Sequence, residues 1–266
     1  MEKIAFIGGG NMAAAIAGGL IANGTRPDTI TIADPNADQR ARLQAEHGIA
    51  VTAESAMACA GAETVVLAVK PQVIPAVAAE IGGTLDGKLV ISIAAGVTIT
   101  MLEDLFGQVA IARAMPNTPA LLGLGATGLF LNNRASADER ARARRIIDAF
   151  GICVDVTRED LLDAVTAVSG SGPAYVFLLI EEMIRAGIAL GLPPEDAKAL
   201  TVQTALGAAT MAAKGEAAPE DLRRRVTSPN GTTHAAITAM QDTGFGAVIE
   251  KAMIACRDRA VELGKG

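Results

Sequence analysis

Tryptophan is absent from the 266-residue chain, and tyrosine occurs once, at Tyr175. So few aromatic platforms exclude a protein that grips single-stranded nucleic acid by stacking on its bases. Basic charge is not in excess either. The 23 Lys and Arg against 29 Asp and Glu leave a formal net charge of −6, the wrong sign for tracking a phosphate backbone. Cysteine is scarce: Cys59, Cys153 and Cys256 are odd in number and widely spaced. That pattern excludes a disulfide framework and a Cys-x-x-Cys clip, and it suits a reducing cytoplasm. The two histidines, His47 and His234, lie far apart, so no metal centre is expected. Met1 leads straight into a strand-like segment without a charged n-region or cleavage site. The longest uncharged stretch, residues 114–133, is broken by Pro116, Pro119 and glycines. It cannot form the continuous apolar helix of about 20 residues that crosses a bilayer. The expectation is a soluble cytoplasmic protein with no nucleic-acid partner and no membrane partner.

What is present is a large apolar fraction, half of all residues, with a fifth charged. That is enough for a sizeable core in one large domain or two ordinary ones of roughly 100–150 residues. The first half alternates short apolar runs with helical patterns. Ile4–Ile7, residues 29–33, 64–69 and 89–94 read as strands, with 109–114 and 128–131 as weaker ones. Fully apolar strands between helices predict a parallel sheet covered on both faces. From Glu159 onward the patterns are helical: 171–190, 194–214, 219–226, 231–241 and 244–263. The fold class expected is α/β, a Rossmann-like dinucleotide-binding domain (1–158) followed by an all-helical domain (159–266). Such apolar helices, with Val176, Phe177, Leu178 and Ile180 on one of them, predict packing against a second copy.

Gly8, Gly10 and Ala13 fill the three positions of the dinucleotide-binding turn, Gly-x-Gly-x-x-Gly/Ala. A lone glycine triplet says little. Here a buried strand precedes it, a helix follows, and a carboxylate, Asp34, stands at the end of the second strand. Gly8 makes the tight turn, Gly10 admits the pyrophosphate to the backbone, and Ala13 lets helix and strand pack closely. The phosphates then meet the free N–H groups and positive end of the helix. Asp34 favours an adenosine ribose with a free 2′-hydroxyl, whereas Asn36 and Arg40 just beyond it could cradle a 2′-phosphate. NADPH and NADH both stay open as the cofactor.

Four further segments sit at strand or helix ends: Ala68-Val69-Lys70-Pro71-Gln72, residues 92–98, residues 113–119, and Ser169-Gly170-Ser171-Gly172-Pro173-Ala174-Tyr175. Loops at the carboxyl ends of parallel strands form the ligand crevice of such sheets. Near the C-terminus, Ser228-Pro229-Asn230-Gly231-Thr232-Thr233 reads as a polar loop opening a helix, a place suited to a small carboxylate. Taken together, and along essentially the whole chain, these segments resemble the pyrroline-5-carboxylate reductase family. That family usually has Gly where this chain has Asn230, and Asn tolerates the left-handed backbone such a loop needs.

The resemblance implies hydride transfer from NADPH or NADH to the C=N carbon of 1-pyrroline-5-carboxylate, giving L-proline, the last step of proline biosynthesis. It implies that Ile7, Gly8, Gly9, Gly10, Asn11 and Met12 line the pyrophosphate, and that Asp34 and Ser55 meet the adenosine ribose. Ala68, Val69, Lys70 and Pro71, with Ala95 and Asn117, would flank the nicotinamide side. Glu216, Ser228, Gly231, Thr232 and Thr233 would bind the substrate. Thr233 is the best candidate for a hydroxyl near the imine nitrogen, and Lys70 for an electrostatic or positioning part in catalysis. Substrate loops of this kind come from the partner subunit, so a homodimer or larger homo-oligomer is implied. The residue inventory agrees with imine chemistry. No crevice loop offers a histidine to protonate an alkoxide, and a protonated cyclic imine already carries the charge that draws hydride. A β-hydroxyacid dehydrogenase would place a Lys in its long C-terminal helix, and residues 171–190 contain none. A reductase of another cyclic imine and a non-catalytic dinucleotide-binding protein are the remaining alternatives.

Overall fold

The structure, a computed structural model, describes residues 2–215 and 217–264. In chain order it runs β1 (Ile4–Ile7), α1 (Asn11–Ala22), β2 (Ile30–Ala33), α2 (Ala37–His47), β3 (Ala50–Thr52), α3 (Ser55–Cys59), β4 (Thr64–Leu67) and α4 (Ile74–Ile81). Next come β5 (Leu89–Ser92), α5 (Ile99–Phe106), β6 (Ala110–Met115), β7 (Gly125–Leu131), α6 (Ala137–Asp148), β8 (Gly151–Asp155) and α7 (Leu161–Val165). The remainder is helical: α8 (Gly172–Ala189), α9 (Pro194–Lys214), α10 (Pro219–Arg225), α11 (Thr232–Asp242) and α12 (Phe245–Leu263). Two compact units result, Met1–Pro173 with Cys256–Gly266, and Ala174–Ala255.

The first unit is one eight-stranded sheet in the order β3-β2-β1-β4-β5-β6-β7-β8. Every residue of β1, β4 and β5 is buried, because successive side chains enter opposite faces and helices cover both. Phe6, Ile32, Val66 and Ile91 pack with α1 and α6 on one side. Ala5, Val65, Leu67 and Val90 pack with α4 and α5 on the other. The strand order reverses between β1 and β4, and the register aligns Ile7 with Ala33 and with Leu67, and Leu67 with Ser92. The turns that follow these residues therefore emerge along a single edge, at the switch point where such sheets take ligands.

Two features depart from the sequence reading. The sheet is not wholly parallel, since β6 and β7 pair antiparallel; the connection between them is too short for the crossover that a parallel pair requires. The edge strands β3 and β8 were not legible as strands, being short and half exposed. The compact units divide at 173/174. Residues beyond 159 still pack on the sheet: a Cβ placed on Gly128 of β7 would lie 2.7 Å from Val165 of α7.

Taken by itself, the second unit has little interior. Ala197 and Thr201 of α9 are buried, while α10 and α11 bury nothing. Phe177 is 64% exposed and Val248 63%. The helical segment Leu161–Ala189 has the length and apolarity of a bilayer-crossing helix, the combination expected also of a helix covered by another protein chain.

Candidate active site

The turn after β1 is built around contacts that leave no room for side chains at its first two glycines. Gly8 has φ +97°, and a Cβ there would lie 2.6 Å from the Ala68 carbonyl oxygen and 2.9 Å from Val69 Cγ1. Its N–H donates to Ala33 O at 2.8 Å. A Cβ on Gly9 would lie 2.7 Å from Leu43 Cδ1. Gly10 differs. It is the N-cap of α1, with φ −65° and no side-chain cap, and a Cβ there meets no atom within 4 Å. The helix end is thus open on the side where Gly10 faces, a cradle for a phosphate group. Ala13 is completely buried behind it. The residues present fit a dinucleotide.

Asp34 is fastened to this turn. Its Oδ2 accepts from Gly9 N at 2.8 Å and its Oδ1 from Asn36 N at 2.8 Å. The Gly9 peptide is held on its other side by the Gln39 side-chain amide, which donates to Gly9 O. No motif in the sequence singles out Gln39. Asn36 caps α2, its Oδ1 accepting from Asp38 N and Gln39 N at 2.9 and 3.3 Å. Arg40 donates to the carbonyls of Asp34 and Pro35 at 2.7 and 2.9 Å.

Ser55 sits at the start of α3, where Glu80 of α4 accepts from both its N–H and its hydroxyl at 2.9 Å. Ala68 and Val69 are half-buried beside Gly8, and the Ala68 N–H donates to Ile7 O at 2.8 Å. Lys70 is exposed, and no carboxylate of the described residues pairs with it. Ala95 is exposed in the turn after β5. Gly96 beside it has φ +76° and abuts the backbone of Leu263. Asn117, past the end of β6, is buried. Beneath these loops Arg113 of β6 donates to Glu159 Oε1 at 2.6 Å, and the same oxygen accepts from Ile99 N at 2.7 Å. A groove of about 960 Å³ runs along α1, but Asn11 alone of the expected site residues lines it.

The loop before α11 lies in the second unit. Asn230 has φ +60° and is the one non-glycine residue with positive φ among the described residues, as expected of a position where Gly is usual. Gly231 donates to Ser228 O at 3.0 Å and is the N-cap of α11, again with no side-chain cap. The helix therefore presents N–H groups at Thr232, Thr233 and His234, at its positive end, and Thr233 is half-buried there. His234 is exposed. Glu216 lies outside the described residues. Burial pushes the Cys59 thiol up to about 11 and the Cys153 thiol up to about 12, so neither supplies a thiolate at neutral pH.

Residues 159–263 match the family model described as pyrroline-5-carboxylate reductase dimerisation, and residues 3–96 match NADP oxidoreductase coenzyme F420-dependent. A pyrroline-5-carboxylate reductase of Pseudomonas aeruginosa is 50% identical over 98% of this chain and 96% of its own length. One from Synechocystis is 42% identical over 99% and 98%. Among solved structures, a pyrroline-5-carboxylate reductase from Coxiella burnetii superposes with a TM-score of 0.96 at 42% identity, covering 100% of this chain and 99% of that one. A Plasmodium falciparum pyrroline carboxylate reductase with NADP bound gives 0.87 at 29% identity, covering 99% and 98%.

Proposed function

The chain belongs to the pyrroline-5-carboxylate reductase family, and from that membership we infer that it reduces 1-pyrroline-5-carboxylate to L-proline with NADPH or NADH. The observation that carries this reading is that both loops singled out by sequence motif, the glycine turn at the switch point of the sheet and the loop containing Asn230, deliver the chain into the start of a helix. One helix follows the glycine turn, open at Gly10, and the other follows Ser228–Gly231. The first suits a pyrophosphate and the second a carboxylate.

A reduced dinucleotide held with its pyrophosphate at the turn would supply the hydride for the imine carbon. The protein's own residues orient and bind. The N–H groups at Gly10, Asn11 and Met12 hold the pyrophosphate, while Ile7, Gly8 and Gly9 shape the turn. Asp34 and Ser55 serve the adenosine ribose. Ala68, Val69, Pro71 and Ala95 bound the nicotinamide side, with Asn117 behind them, and Lys70 adds positive charge there. Thr232, Thr233 and their N–H groups take the substrate carboxylate with Ser228 and Gly231, and the Thr233 hydroxyl stands by the imine nitrogen. Glu216 completes the substrate contacts. No proton donor for an alkoxide is needed, so rate enhancement comes from proximity and electrostatics. We assign residues 1–158 to cofactor binding and 159–266 to substrate binding and self-association as a homodimer or larger homo-oligomer, working in the cytoplasm. The exposed apolar face of α8 suits a second copy of the chain better than lipid or nucleic acid.

The test is steady-state oxidation of NADPH and of NADH with 1-pyrroline-5-carboxylate as acceptor. Turnover with at least one dinucleotide is expected; tight dinucleotide binding without turnover would favour a non-catalytic binding protein. Thr233→Ala should lower turnover and leave dinucleotide affinity nearly intact, and an equal loss of both would overturn its placement at the substrate.

A further inference from the structure

Asn117 stands just beyond β6, two residues after Met115, and is 8% exposed. Its side-chain amide is engaged at both ends. Oδ1 accepts from Ala126 N at 2.9 Å, and Nδ2 donates to Ser169 O at 3.0 Å. Ser169 belongs to a π-helical turn, Thr166–Gly170, inserted between α7 and α8. That turn is closed by Ser171 N donating to Thr166 O at 2.8 Å. The next residue, Gly170, abuts the same strand end, where a Cβ on it would lie 2.7 Å from Met115 Cε. Two consecutive residues of the π-turn are thus keyed to Met115 and Asn117. Beyond them Ser171 opens the way into α8, its Oγ accepting from Cys256 Sγ at 3.2 Å.

An amide supplies a donor and an acceptor from one flat group in this way. A carboxylate retains the acceptor and loses the donor, and a hydroxyl is too short to reach both. Single π-turns interrupting helices depart from regular packing and need outside support. We propose that Asn117 is a positioning residue. Its side chain does not bind cofactor; it locks the π-turn, and hence Ser171 and the first residues of α8, onto the loop that bounds the nicotinamide side. This rests on the reductase reading given above. It follows from the geometry that the dinucleotide, held by the turn after β1, should bind normally when Asn117 is changed. Hydride transfer, which is sensitive to displacements below 1 Å, should not proceed normally.

The experiment is single-turnover stopped-flow oxidation of enzyme-bound NADPH by saturating 1-pyrroline-5-carboxylate, with NADPH affinity titrated in parallel. A first-order rate constant does not depend on how much of the preparation is folded, so a loss of stability alone leaves it unmoved. Asn117→Asp keeps the bond from Ala126 and sets an acceptor against Ser169 O. It should slow the step by about tenfold or more while the Kd for NADPH changes less than about twofold. Asn117→Ala removes both bonds and should slow the step at least as much. A wild-type rate constant in Asn117→Asp overturns the proposal. So does a Kd that rises in step with the loss of rate, which would place Asn117 on the cofactor. If Asn117→Asp yields no soluble enzyme, Asn117→Ala decides alone, and a wild-type rate constant there also overturns it. An inactive wild-type chain would instead refute the reductase reading itself, so the two failures are told apart.

Discussion

Gly8 and Gly10 are one residue apart in the spacing pattern and opposite in what they do. Gly8 is required by the protein: its φ is +97° and the Ala68 carbonyl occupies the space a Cβ would need. Gly8→Ala should cost about 1–3 kcal/mol from backbone strain alone, with the clash in addition, and show as a lowered Tm. Gly10 has ordinary φ and open space in front of it, so it is required by the ligand. Gly10→Val should melt within a few degrees of wild type and fail to bind NADPH by fluorescence titration. Normal titration of that variant would refute the site. Asn230 is a third instructive residue. At φ +60°, Asn230→Gly should be close to neutral. Asn230→Val meets the left-handed penalty of about 1–2 kcal/mol and should raise the KM for 1-pyrroline-5-carboxylate, leaving that for NADPH unchanged.

At the level of elements, the notable device is Glu159, which ties three of them together. It takes the Arg113 guanidinium from β6 and the Ile99 N–H at the start of α5, and it stands two residues before α7. Breaking a fully buried ion pair costs about 3–5 kcal/mol. Glu159 is about a quarter exposed and Arg113 about a tenth, so Glu159→Ala should cost nearer 2–3 kcal/mol in urea unfolding. A change below 0.5 kcal/mol would mean that solvent already screens the pair. Asn36 and Ser136 close the N-termini of α2 and α6 with their own side chains.

For the whole molecule, the second unit leaves a wide apolar surface open, with Phe177, Leu178, Leu206 and Val248 each more than half exposed. The match of residues 159–263 to a dimerisation family accounts for it. Phe177→Glu should shift the particle measured by light scattering toward the 27.1 kDa of one chain, and activity should fall with it. An unchanged mass would place the interface on other helices.

The central strands, the dinucleotide turn and the long helices were legible in the sequence because each is dictated locally. Apolar runs such as Thr64–Leu67 must be buried, the spacing Gly8, Gly10, Ala13 recurs wherever a strand turns into a helix under a phosphate, and Asn230 stood out where a left-handed residue was needed. Edge strands β3 and β8 were not legible, since a strand with one neighbour needs no apolar alternation. The antiparallel pairing of β6 with β7 depended on the length of a connection and on no residue preference. Among site residues, the sequence supplied types without partners. Motif spacing placed Asp34 at a ligand-facing position, and the family resemblance did so for Ser55 and Asn117. Only the tertiary structure decided that Asp34 holds Gly9, that Glu80 holds Ser55, and that Asn117 holds Ser169. Those bonds join residues dozens of positions apart, and a hydrogen bond of that range is fixed by packing of the whole sheet and its helices, which no local pattern encodes.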